Sequence, residues 1–112
     1  HQGNFGPRVV EKAVELGTGI LALKALARRP WADGEERRWP KCWYKPIDDP
    51  IDARAALRFT LSKPVTAAVT PGHIELLRLA CDAADAFVPM TAEEEQLAPR
   101  VEGGKPIFQS AA

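Results

Sequence analysis

The stretch KPVTAAVTPGHIELLRLAC, Lys63 to Cys81, decides how the chain is read. Val65 to Val69 is a run of β-branched and small apolar residues, Thr70-Pro71-Gly72 breaks it, and from Ile74 the apolar residues recur at helical spacing. Strand followed at once by helix is the βα step of an α/β protein. The free N–H groups at such a helix start suit an anion or a phosphate, and the same arrangement serves equally as a plain βα connection.

The helix after this turn is expected from about Gly72 to Phe87. Glu75, Arg78, Asp82 and Asp85 form its wet stripe, and Leu76, Leu77, Leu79, Ala80, Ala83 and Phe87 its apolar face. Thr91 caps a short acidic helix through the Thr-x-x-Glu spacing to Glu94. Beyond Pro99 the Gly103-Gly104 pair suggests an irregular tail over 99–112, which leaves 1–98 as the structured part.

Upstream, DDPIDARAALRFTLSK offers Asp49 as N-cap, Pro50 in the first turn and one buried face from Ala53, Ala56, Leu57, Thr60 and Leu61. Gly6-Pro7 opens the first helix, Val9, Val10, Ala13 and Val14 make its apolar stripe, and Gly17 ends it. GILALKAL, residues 19–26, is too short for a further helix and reads as a buried strand. Residues 27–47, with Pro30, Pro40 and Pro46, read as a long loop with one helical turn around Glu35 to Arg38.

The expected order is helix, strand, long loop, helix, strand, helix, helix. Strands joined through a helix pair in parallel by a right-handed crossover. A lone parallel pair cannot cover both its faces, so the two strands belong to a larger sheet. In each strand one side is bulkier, and the other ends in a polar residue, Lys24 or Thr70. That is the organisation of a (β/α) barrel, where helices pack outside and chemistry gathers at the C-terminal strand ends. A lysine reaching past a strand end to solvent accounts for Lys24 equally simply.

Composition narrows the classes. The 112 residues make one domain, and fifteen basic and fifteen acidic residues cancel, so no whole-chain field points to nucleic acid or an anionic membrane. No apolar run is long enough to span a bilayer, and the first residues lack signal-peptide character, so a cytoplasmic protein is expected. Cys42 and Cys81 have neither C-x-x-C spacing nor nearby histidines, which argues for reduced thiols and against zinc.

Three segments together resemble the C-terminal part of the aldo/keto reductase barrel. NFGPRVVEKAVELGTGILALKALA is similar to its sixth helix and seventh strand, ARAALRFTLSKPVTAAVTPG to its seventh helix and eighth strand, and HIELLRLACDAADAF to its last helix. The resemblance covers about residues 4 to 95, and it implies a C-terminal fragment of a (β/α)8 TIM barrel, two parallel strands with three to four helices. It also implies NADPH as cofactor, with Lys24, Ala25 and Leu26 bordering the pyrophosphate and Pro71, Gly72, His73 and Arg78 bordering the adenosine 2′-phosphate. Many members carry a basic residue where this chain has Gly72-His73, and a Glu-Asn pair where it has Cys81-Asp82. Arg78 could instead pair with Glu75 and Asp82 on the helix surface.

The family's catalytic tyrosine, lysine, histidine and aspartate belong to earlier strands, and nothing here replaces them. Tyr44 lies in the irregular stretch, His1 is terminal and His73 sits in the phosphate turn. The chain is therefore expected to be a fragment, inactive alone, of a reductase acting on a small carbonyl or alcohol. Its partner is the remainder of the barrel, and self-association is expected when that is missing. A rival reading starts from ARRPWADGEERRWPKCWYKP, residues 27–46, which interleaves basic residues with three tryptophans and a tyrosine. Such a loop could serve as a partial lid, as a structural strap, or as an interaction or nucleic-acid-binding module; Asp33, Glu35 and Glu36 interrupt the basic run and weigh against the last.

Overall fold

The computed structural model describes residues 6–97. The expected tail at 99–112, and the Asn4-Phe5 start of the first resembling segment, lie outside the described residues. The architecture is mixed α/β: α1 (Gly6–Glu15), β1 (Leu21–Ala22), β2 (Ala27–Pro30), β3 (Tyr44–Pro46), α2 (Pro50–Leu61), β4 (Ala67–Ala68), α3 (Ile74–Asp85) and α4 (Ala92–Leu97).

Local sequence sets the helix ends. Gly17 has φ 64°, and with it Thr18 N–H donates to the Ala13 carbonyl at 2.9 Å and Gly17 N–H to Val14 at 3.1 Å. This pair of bonds is the Schellman closure that a glycine after the last helical residue makes possible. Asp49 caps α2, its Oδ1 accepting from Asp52 N–H at 2.8 Å, and Pro50 fills the first position, where its missing N–H costs nothing. Thr91 and Glu94 cap α4 reciprocally, Thr91 N–H donating to Glu94 Oε2 at 2.8 Å and Glu94 N–H to Thr91 Oγ1 at 3.2 Å.

β1 and β4 pair in parallel, Leu21 opposite Ala67 and Ala22 opposite Ala68, as the order of elements requires. Both strands are shorter than the sequence suggests, two residues in place of 19–26 and 65–69. The reason lies at Lys24, whose φ of 61° reverses the chain just beyond β1. Residues 23–26 are thus a turn, closed by Ala27 N–H donating to the Lys24 carbonyl at 2.9 Å. Nor is the strand buried: Leu21 and Leu23 are 64% and 69% exposed, because no described helix covers that side.

The long loop expected at 27–47 is also corrected. Its ends form an antiparallel ribbon, with Ala27, Arg29 and Pro30 of β2 opposite Pro46, Lys45 and Tyr44 of β3. No helical turn forms at Glu35 to Arg38. Glu35 serves instead as the ribbon's ionic centre: Arg29 grips its carboxylate with two N–H bonds at 2.7 and 2.9 Å, Lys45 reaches it at 2.6 Å, and Ala32 N–H donates at 3.0 Å.

The core lies between α2, α3 and the turn after β1. Leu26, Ile47, Ala53, Leu57, Ala80 and Ala83 form it, with Ala25, Ala56, Ala68 and Leu79 at its margin. Small residues on both helices let α2 and α3 approach closely, and the larger Leu26 and Ile47 fill the space at their side. Glu75, Arg78, Asp82 and Asp85 all face solvent on α3 as the periodicity indicates. α4 is tied to the end of α2, where Arg58 donates to Val88 O at 2.8 Å, Pro89 O at 3.2 Å and Glu94 Oε2 at 2.9 Å, and Lys63 pairs with Glu95. By contrast α1 buries no side chain.

Candidate functional site

The parallel register brings the ends of β1 and β4 side by side, and Val69 N–H donates to the Ala22 carbonyl at 2.9 Å just past them. Two turns leave from this point: Leu23 to Leu26 after β1, and Val69 to His73 after β4. The sequence-derived site residues lie on these turns and on α3, but they differ in what they offer.

Lys24 occupies the left-handed region, unusual for a lysine, and its Nζ lies 4.1 Å from the centroid of the Trp43 ring. Partial burial lowers its ammonium pKa from the ordinary value. Ala25 packs at the core's margin, and Leu26 is 1% exposed, its carbonyl accepting from Ile47 N–H at 2.8 Å. Of this trio only Lys24 can present a side chain to a ligand.

Pro71 is buried, Gly72 is exposed, and a Cβ built on Gly72 would meet nothing within 4 Å. His73 is the N-cap residue of α3 with φ −122°, and it makes no side-chain cap hydrogen bond. The first N–H groups of α3 therefore have no side-chain acceptor from that position. Arg78 sits one turn further along, exposed, with no ion pair to Glu75 or Asp82. Side chains on a helix lean toward its N-terminus, so Arg78 is suited to the same end.

The segment from Trp39 to Trp43 lies against this turn. Lys41 N–H donates to His73 Nε2 at 3.1 Å, the Trp39 and His73 rings meet edge-on with centroids 5.2 Å apart, and Gly72 N–H faces the Cys42 thiol. Burial raises the pKa of Cys42 and of the Tyr44 phenol, so neither favours ionisation here. Cys42 is buried and Cys81 exposed, both as free thiols. None of these contacts was visible in the sequence, since they join residues some thirty positions apart in a stretch without periodicity.

Much of the basic-aromatic stretch is neutralised from within. Arg28 meets Asp49 at 3.0 Å and Asp52 at 2.5 Å, Arg29 and Lys45 share Glu35, and Arg38 faces Asp48 at 3.7 Å. Trp31 donates from its indole to the Cys42 carbonyl at 2.7 Å and Trp39 to Asp48 at 2.9 Å. These groups brace the ribbon and its connection. Among the described residues no cluster of three or more His, Cys, Asp or Glu could hold a metal ion, and no helix is long and apolar enough to cross a membrane. No family model matches the chain, and no curated protein or solved structure is significantly similar to it.

Proposed function

We propose that the chain is the C-terminal portion of a (β/α)8 barrel of aldo/keto reductase type, and that it supplies part of an NADPH site to an oxidoreductase acting on small carbonyl or alcohol substrates. The observation that carries this reading is the parallel pairing of β1 with β4, because Lys24 and the Pro71–His73 turn then leave the same ends of neighbouring strands. The open flanks support it as well. Among the described residues no third strand joins the pair, and Val9, Val14, Leu16, Leu21 and Leu23 are all more than half exposed. In the proposed parent the remainder of the barrel covers them, and the isolated chain is expected to self-associate.

The residues present fit a phosphate-bearing cofactor in three respects: the start of α3 has no side-chain cap, Gly72 leaves open space, and Arg78 has no competing carboxylate within ion-pairing distance. NADPH, when bound, supplies the hydride. Arg78 would hold the 2′-phosphate by charge-assisted hydrogen bonds, the first N–H groups of α3 would add to it, and Lys24 would border the pyrophosphate. Tyr44 is 8% exposed on β3, and burial raises its phenol pKa, so it stays protonated and packed in the ribbon. The proton donor belongs to the remainder of the proposed barrel.

Aldehyde-dependent loss of NADPH absorbance tests the reading. The intact protein that carries this segment is expected to oxidise NADPH when an aldehyde is added, and the isolated 112-residue chain is not. An intact protein that leaves NADPH unoxidised when an aldehyde is added, or turnover by the isolated chain, would overturn it.

A further inference from the structure

The contact between Lys41 and His73 has a fixed polarity. A backbone amide can only donate, so His73 Nε2, 3.1 Å from Lys41 N, must carry its lone pair, and the ring proton of the neutral imidazole sits on Nδ1. A proton taken from solvent onto Nε2 removes the acceptor and sets one N–H against another. Among the described residues no carboxylate pairs with His73, so an imidazolium gains no replacement partner.

Charged or titratable groups lie on each element that meets at this contact. Lys41 and the Cys42 thiol come from the same segment, and the Arg38 guanidinium lies 5.0 Å from the centroid of the Trp39 ring. Asp48 accepts the Trp39 indole N–H at 2.9 Å, and Glu75 and Arg78 follow His73 on α3. None of them substitutes for the lone pair at Nε2. Other ties between segment and turn include the edge-on Trp39 ring and the weak Gly72 contact to Cys42 sulfur.

We propose that His73 is a proton-operated latch: neutral, it ties the Lys41 backbone to the start of α3, and protonated at Nε2 it gives up that bond and loosens the Trp39–Lys41 part of the segment over the turn, while Cys42 stays anchored by the Trp31 indole. The latch does not depend on the reductase reading, since it needs only the contacts within this chain.

Amide and imidazole NMR on the full chain between about pH 8 and about pH 5 tests it. The Lys41 amide and the His73 ring are expected to titrate with one shared midpoint. Lys41 amide exchange, corrected for its intrinsic pH dependence, should rise about tenfold at the acid end, the equivalent of one hydrogen bond. In His73→Gln the carboxamide keeps an acceptor that does not titrate, and the Lys41 amide should stay unchanged across the range. A wild-type Lys41 amide that does not follow the His73 midpoint overturns the latch, and so does one that still titrates in His73→Gln, where His1 is the imidazole that remains. Should His73→Gln fail to fold, the coincidence of the two midpoints in the wild-type chain decides alone.

Discussion

Leu26→Ala is expected to cost about 2–5 kcal/mol of folding stability, the range for emptying a buried leucine site. Leu26 is 1% exposed and enters the core from the turn that Lys24 creates, beside Ile47, Ala53 and Leu57. Its backbone is held there too, by the bond from Ile47 N–H to its carbonyl at 2.8 Å, so the turn and the ribbon cannot readily close over the vacated space. For a domain whose total stability is about 5–15 kcal/mol, this is a large share. Leu23→Ala, three residues earlier and 69% exposed, is the control, with an expected change within about 0.5 kcal/mol. Urea unfolding followed by circular dichroism measures both. Equal effects of the two substitutions would show that residues 23–26 are not the turn described here.

Replacing Glu35 by Gln is expected to loosen the β2–β3 ribbon, because one carboxylate serves Arg29, Lys45 and the Ala32 N–H together. The neutral amide keeps one acceptor, and two cations are left facing each other across the ribbon. Faster amide exchange should appear at Ala32 and Ile47, whereas Val69, bonded to Ala22 in the other sheet, should keep its protection. The same contacts give a pH dependence of definite sign. The Arg29 hydrogen bonds first, then Lys45 and the Ala32 N–H, hold the Glu35 carboxyl well below the ordinary carboxylate range. A pKa lowered by folding means that the carboxylate's stabilisation is fully present above the unfolded value of about 4.3 and is lost progressively as pH falls below it. Acid should therefore expose Ala32 and Ile47 in the wild-type chain and produce little further change in Glu35→Gln. Identical acid profiles for the two would remove Glu35 from the role of ionic centre.

What the sequence reveals about this fold is local. The Gly17 helix end, the Asp49-Pro50 helix start, the Thr91–Glu94 capping box and the wet stripe of α3 each rest on hydrogen bonds or periodicity within a few residues, so residue type alone announces them. The parallel pairing of β1 with β4 follows from element order, a topological argument that needs no side-chain detail. The ribbon was illegible because ARRP and YKP lack the alternation that marks a half-buried strand. Its support comes from Glu35, six residues from Arg29 and ten from Lys45. Nothing about a lysine signals a positive φ, so the turn at Lys24 stayed hidden and residues 19–26 read as one strand. Of the candidate site, the turn after β4 and the exposed Arg78 were legible; the cover that Trp39, Lys41 and Cys42 make over it was not.

In the proposed function the start of α3 would receive the 2′-phosphate of NADPH. A fluorescence titration of the intact protein with NADPH and with NADH, before and after Arg78→Ala, tests it most directly. Loss of one charge-assisted contact to a phosphate is expected to weaken NADPH binding about tenfold or more and leave NADH within about twofold, since NADH lacks that group. Unchanged NADPH affinity in Arg78→Ala, or an equal loss for both nucleotides, would contradict the account.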